Sequence, residues 1–113
     1  LRSAACVLCR QPSALAVVGV YSAVRNFAKR AAIRETWGQV LTEYGFEVHF
    51  LLGAAAEEPG EDDWKAELEQ QLYGDIVRLP VPEGYTKNAL KGLEYLKYYA
   101  RSYPDAAFLV KVD

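Results

Sequence analysis

The sequence predicts an α/β fold in which a mainly parallel sheet carries helices on both faces. Two observations carry that expectation. Short apolar runs alternate with helical periodicities in the order β, α, β, α, β, α, β, and such alternation selects parallel strands joined by helical crossovers. The first run, Leu15-Ala16-Val17-Val18-Gly19-Val20-Tyr21, is apolar at nearly every position, as a strand covered on both faces must be.

That first run predicts a central strand over residues 15–21. The polar turn from Ser22 to Asn26 leads into residues 27–44, where Ile33, Trp37, Val40, Leu41 and Tyr44 recur at helical spacing and Gly45 closes the segment. Residues 46–52 form a second apolar run, stopped by Gly53 and followed by a loop over 54–60. Glu61, Asp62 and Asp63 suit the positive end of a helix, along which Trp64, Leu68 and Leu72 make one apolar stripe that is expected to face the core; Gly74 ends it. Residues 75–79 read as a short strand halted by Pro80 and Pro82. A third helix is expected over 85–103, with Ala89, Leu93, Leu96 and Ala100 inward and Pro104 beyond its end. Gly92 inside it hints at a close neighbour, because glycine weakens a helix by about 1 kcal/mol relative to alanine. The run 106–112 is the last strand and Asp113 follows it.

The 113 residues are 51% hydrophobic and carry a formal charge of −2, which suits one globular segment and gives no reason to expect nucleic acid as a partner. No stretch approaches the roughly 18 apolar residues of a membrane span. Residues 1–14 read as a lead-in, broken by Arg2, Arg10, Gln11 and Pro12, so that a membrane anchor is expected only upstream of this chain. Cys6-Val7-Leu8-Cys9 has the spacing of half a zinc site or a redox pair, yet it has no second pair and does not sit between a strand and a helix. His49, the single histidine, falls inside an apolar strand. Trp37 and Trp64 share stripes with aliphatic residues and are expected in the core, and the acidic run 57–63 is expected to be a solvated face.

Candidate chemistry gathers at two places. The helix after the first strand opens with Arg25, Lys29, Arg30 and Arg34; free N–H groups at a helix start favour a phosphate, and Arg30 and Arg34 share a face that would reinforce it. The same spacing also fits a solvated basic face. Asp113 follows a strand, where open α/β sheets place ligand chemistry, and its hard oxygens suit Mg²⁺ or Mn²⁺. Aspartate at a strand end also serves as a turn residue. A compact domain does not normally stop at such a point, and the chain therefore reads as an incomplete fragment.

Five segments in register resemble the β-1,3-galactosyltransferase family, glycosyltransferase family 31. Arg30-Ala31-Ala32-Ile33-Arg34-Glu35-Thr36-Trp37-Gly38 resembles R-x-x-I-R-x-T-W-G, and Phe50-Leu51-Leu52-Gly53 resembles F-x-L-G. Tyr73-Gly74-Asp75-Ile76-Val77 resembles Y-G-D-I-[IV], and Tyr85, Asn88 and Lys91 follow the family's tyrosine, asparagine and lysine. The close, Phe108 to Asp113, resembles the approach to an Asp-Asp-Asp metal motif. Glu83-Gly84 stand where Asp-Ser is usual, and Asn88-Ala89-Leu90-Lys91 replaces the common Asn-Leu-Thr-x-Lys.

The resemblance implies a GT-A-like, Rossmann-like fold, with residues 15–113 as the nucleotide-sugar-binding half of a transferase domain. It implies a UDP-sugar donor, a glycan or glycoprotein acceptor, and Mn²⁺ or Mg²⁺ with Asp113 as a ligand. Arg30, Arg34, Asn88 and Lys91 become candidates for the nucleotide-sugar pocket, and the catalytic base is expected beyond residue 113. Family members usually sit in the Golgi membrane, facing the lumen. The implied activity of the complete protein is inverting hexosyl transfer with a β-1,3 linkage, and little turnover is expected of this segment alone. The competing reading is a non-catalytic α/β ligand-binding or regulatory module.

Overall fold

A computed structural model describes residues 16–83 and 88–112. Four strands, β1 (Ala16–Tyr21), β2 (Glu47–Leu52), β3 (Ile76–Arg78) and β4 (Phe108–Val112), form one sheet in the order β3-β2-β1-β4, and every pairing is parallel. The expected α/β architecture is what the chain adopts. The helices are α1 (Phe27–Glu35), α2 (Trp37–Glu43), α3 (Glu61–Tyr73) and α4 (Asn88–Ser102). No helix among the described residues is long and apolar enough to cross a membrane.

Strand order decides which face each helix covers. The chain steps outward from β1 to β2 to β3 and then returns past β1 to β4, so right-handed crossovers put the returning helix on the opposite face. Val18, Val20, Phe50 and Leu52 accordingly pack with Phe27 and Ile33 of α1, Leu41 of α2 and Ala66 of α3. Val17 and Leu51, one residue out of phase, pack with Tyr95, Tyr98 and Tyr99 of α4. Gly19 allows that second layer to close, because a Cβ there would lie 2.4 Å from the Tyr95 ring. The Tyr95 hydroxyl donates to the Val17 carbonyl at 3.4 Å, and burial pushes its phenol pKa upward. The close neighbour expected at Gly92 is the Tyr21 hydroxyl, 2.9 Å from where a Cβ would stand.

Four expectations are corrected. The helix expected over 27–44 is broken at Thr36, whose φ of −118° and ψ of −115° leave helical space. Its hydroxyl donates back to the Ala32 carbonyl at 2.6 Å, and Gly38 beyond it approaches the Ile33 carbonyl too closely for any Cβ. Second, the stripe Trp64, Leu68 and Leu72 faces outward, at 63%, 60% and 78% exposed, while Ala66 and Glu69 are buried. Glu69 turns inward because two arginines meet it there. Third, α4 buries Lys91 and Tyr95 and leaves Ala89, Leu93, Leu96 and Ala100 exposed. Tyrosine bulk, from Tyr95, Tyr98, Tyr99 and Tyr103, fills the space that the leucines were expected to fill. Trp37, expected in the core, is 38% exposed at the start of α2.

Candidate donor site

Between β1 and β4 the crossovers run in opposite directions, and in open α/β sheets such a switch point opens a crevice beyond the carboxyl ends of the strands. A cavity of about 670 Å³ lies there. Its walls come from the end of β1 (Val20 and Tyr21), the turn after it (Ser22 to Asn26), the start of α1 (Lys29 and Arg30), Glu83, and the first turn of α4 (Asn88 and Lys91). Three of the four residues expected to shape a nucleotide pocket, Arg30, Asn88 and Lys91, thus line one cavity although some 60 residues separate them in the chain.

Tyr21 places the α4 side. Its hydroxyl donates to the Asn88 carbonyl at 3.1 Å, in the gap that Gly92 leaves open, and its ring has the Lys91 ammonium 6.0 Å and the Lys111 ammonium 5.1 Å from the centroid. Cations at that range are attracted to an aromatic face. Lys91 is almost fully buried and its ammonium stands 3.1 Å from a Glu83 carboxylate oxygen.

Arg30 is only 1% exposed, and its five N–H donors are all committed within the protein. Nε donates to Glu69 Oε2 at 2.8 Å, Nη1 donates to Ser22 Oγ and the Ala23 carbonyl, each at 2.8 Å, and Nη2 donates to the Val24 carbonyl at 2.9 Å and Glu69 Oε1 at 2.7 Å. The side chain thereby fixes the turn that walls the cavity. Its contribution to an anionic ligand is field and shape, not a free donor.

Arg34 lies elsewhere. α1 runs back from the carboxyl edge of the sheet, so one further turn carries this residue toward the opposite edge, where it lines a separate cavity of about 280 Å³ with Asp75 and Gly74. It donates to Glu69 at 2.6 Å and to both Asp75 oxygens at 2.8 and 2.7 Å, with its guanidinium 4.0 Å from the centroid of the Tyr73 ring. Burial works against its charge, but the hydrogen bonds to Asp75 and Glu69 outweigh burial and raise its pKa. The same balance, with burial opposed by both arginines, holds the Glu69 carboxyl below its ordinary range. The expected joint phosphate face of Arg30 and Arg34 is therefore built as an internal ion-pair network, since both point at Glu69.

Among the described residues, the exposed cations that line this cavity are Arg25 and Lys29. The sequence shows them as part of one basic cluster with the buried pair, and the signal that separates them is that each precedes Arg30, at or before the first turn of the helix. In the sequence Glu83 stands out only as a departure from a motif; besides Lys91 on the following helix, its partners are backbone N–H groups 30 and 59 residues away, beyond any local pattern. Asp113 lies outside the described residues, as do Tyr85 and the Cys6–Cys9 pair. β4 ends on Val112, which pairs with Val20 at the cavity wall. Among the described residues no group of three or more His, Cys, Asp or Glu side chains could hold a metal ion, and the one carboxylate in the cavity wall, Glu83, is already paired with Lys91.

A galactosyltransferase family model matches residues 28–113, which include the cavity wall contributed by α1 and α4. The chain belongs to that family. Within it, beta-1,3-galactosyltransferase 5 of Pan paniscus is 34% identical over 107 residues, covering 93% of this chain and 35% of that protein. UDP-GalNAc:beta-1,3-N-acetylgalactosaminyltransferase 1 of Rattus norvegicus is 36% identical over 110 residues, covering 93% of this chain and 33% of its own. The human form of the second is 34% identical over the same length. This member of the galactosyltransferase family thus spans about a third of the length of the curated relatives it matches.

Proposed function

We propose that the complete protein is a hexosyltransferase that moves galactose, N-acetylgalactosamine or N-acetylglucosamine from a UDP-sugar to a hydroxyl of a glycan or glycoprotein, forming a β-1,3 linkage with inversion. The observation that supports this reading most is the cavity at the switch point, whose rim carries Arg25 and Lys29 and whose wall carries Lys91. A nucleoside diphosphate is the kind of ligand such a rim favours, since its charge is concentrated in the pyrophosphate. The printed names of the relatives, a galactosyltransferase and a UDP-GalNAc-dependent transferase, support the same class.

In this reading Arg25 and Lys29 draw the diphosphate to the cavity, Lys91 stands in its wall paired with Glu83, Asn88 offers polar contacts beside it, and Arg30 holds the turn in shape. The acceptor oxygen forms a bond to the anomeric carbon from the face opposite UDP, the bond from that carbon to the phosphate oxygen breaks, and the hydroxyl proton passes to a carboxylate base expected beyond residue 113. Positive charge fixed beside the departing phosphate oxygen stabilises the charge that grows on it. A divalent cation, Mn²⁺ or Mg²⁺, belongs to the proposal as additional positive charge at the diphosphate, with Asp113 as one ligand. So does a location in the Golgi membrane with the domain in the lumen.

The test is transfer by the full-length protein from UDP-galactose, UDP-N-acetylgalactosamine and UDP-N-acetylglucosamine, read as UDP released in the presence of a β-linked acceptor. Release with one of the three is expected. No release with any, together with no protection of the protein by UDP against thermal unfolding, would refute the proposal.

A further inference from the structure

The geometry points to a second determinant of this site, and the inference rests on the donor reading above. Three connections of the fold converge on the Glu83 carboxylate. One oxygen accepts the Val24 N–H at 3.3 Å, from the turn after β1; the other accepts the Gly53 N–H, from the end of β2, and lies 3.1 Å from the Lys91 ammonium of α4. Gly53 is required for this approach, because a Cβ there would lie 2.7 Å from the Val81 carbonyl oxygen and overlap the Glu83 carboxylate itself. Two backbone N–H groups and an ammonium aimed at one pair of oxygens form a donor set suited to a phosphate. In this chain the oxygens are its own.

The charge consequence is direct. Lys91 is 5% exposed at its side chain, while Glu83, at 29%, faces the cavity it lines. The carboxylate holds the ammonium at the wall and cancels its field, so that the cavity attracts a diphosphate chiefly through Arg25 and Lys29. We propose that Glu83 is a positioning residue that fixes Lys91 beside the donor cavity and, by matching its charge, limits how tightly the site holds a diphosphate. Limited affinity suits a transferase that must release a nucleoside diphosphate after every turnover, since tight holding of substrate and product alike gains nothing in rate.

Glu83→Gln preserves size and an accepting oxygen for the Gly53 N–H while removing the charge. Inorganic pyrophosphate titrated calorimetrically into the full-length protein is expected to bind this variant roughly tenfold more tightly than the unmodified protein. The gain should vanish in the Glu83→Gln, Lys91→Met double variant. A residue that served the fold alone would weaken binding when altered, so equal or weaker binding by Glu83→Gln overturns the inference, as does a gain that survives loss of Lys91 or an absence of binding to either protein. Should Glu83→Gln fail to fold, Glu83→Asp, which keeps the charge, is expected to bind no more tightly than the unmodified protein; tighter binding overturns the inference. Failure of the donor reading would look different. Pyrophosphate would then respond as described, and UDP would not compete with it.

Discussion

Four basic residues fall on α1 and the turn before it, and depth divides them into two regions. Arg30 and Arg34 point inward, meet Glu69, and join the turn after β1 to the start of β3. Arg25 and Lys29, only a few residues before the first pair, stay exposed on the rim of the larger cavity. The two sets have the same charge and nearly the same address in the sequence. What separates them is whether carboxylates and carbonyls of the fold already occupy their donors. Proximity to a site therefore marks a cation as useful to it, and donor satisfaction decides whether that use is structural or direct.

The contrast can be broken most forcefully at Arg30. Replacing it by methionine leaves Glu69 buried with one fewer partner, and such a loss costs about 3–5 kcal/mol; a urea unfolding midpoint that did not move would dissolve the distinction between the regions. Arg34→Ala should cost less, about 1–3 kcal/mol, because Glu69 keeps Arg30. Its sharper readout is UDP affinity, expected to stay unchanged by calorimetry because the residue lines the other cavity.

The rim variant inverts the pattern. Arg25→Ala combined with Lys29→Ala should weaken UDP binding roughly tenfold, equivalent to about 1.4 kcal/mol, while the unfolding midpoint moves by less than about 0.5 kcal/mol. If affinity held and stability fell, the two regions would have exchanged roles.

The smallest effect expected is one of pH. Glu69 has a lowered native pKa, so its stabilisation is present above its ordinary value of 4.5 and is lost as pH falls through the native value. His49 is also lowered, chiefly by burial against the opposing charges of Glu47 and Asp75, so its contribution is present above its ordinary value of 6.5 and fades as pH falls below that. Thermal unfolding followed across this range should show both losses in the unmodified chain, and His49→Phe should remove the upper one. The rim variant should leave the pH profile as it was.

Much of the fold was legible because its cause is local. The apolar run of β1, the glycines after the first two helical segments and the prolines after β3 each act within a few residues, and the alternation of strand and helix follows from them. The faces of α3 and α4 were not legible in the same way. Both helices carry apolar residues on an outward stripe, and periodicity reports a stripe without saying which side the sheet takes. Glu69 and Lys91, polar residues in inward positions, contradict a reading based on hydrophobicity alone, and their partners come from other elements.

By itself the sequence determined the class of the protein: the order of elements, a central strand covered on both faces, and motifs in register with a galactosyltransferase family that the match over residues 28–113 bears out. Only the tertiary structure decided which charges belong to the scaffold and which face a ligand. Strand order brings α1, Glu83 and α4 to one crevice, and a buried ion finds its partner through space rather than along the chain. Fold class follows from short-range patterning, whereas the electrostatics of the site also need contacts between elements, several of them 30 to 59 residues apart.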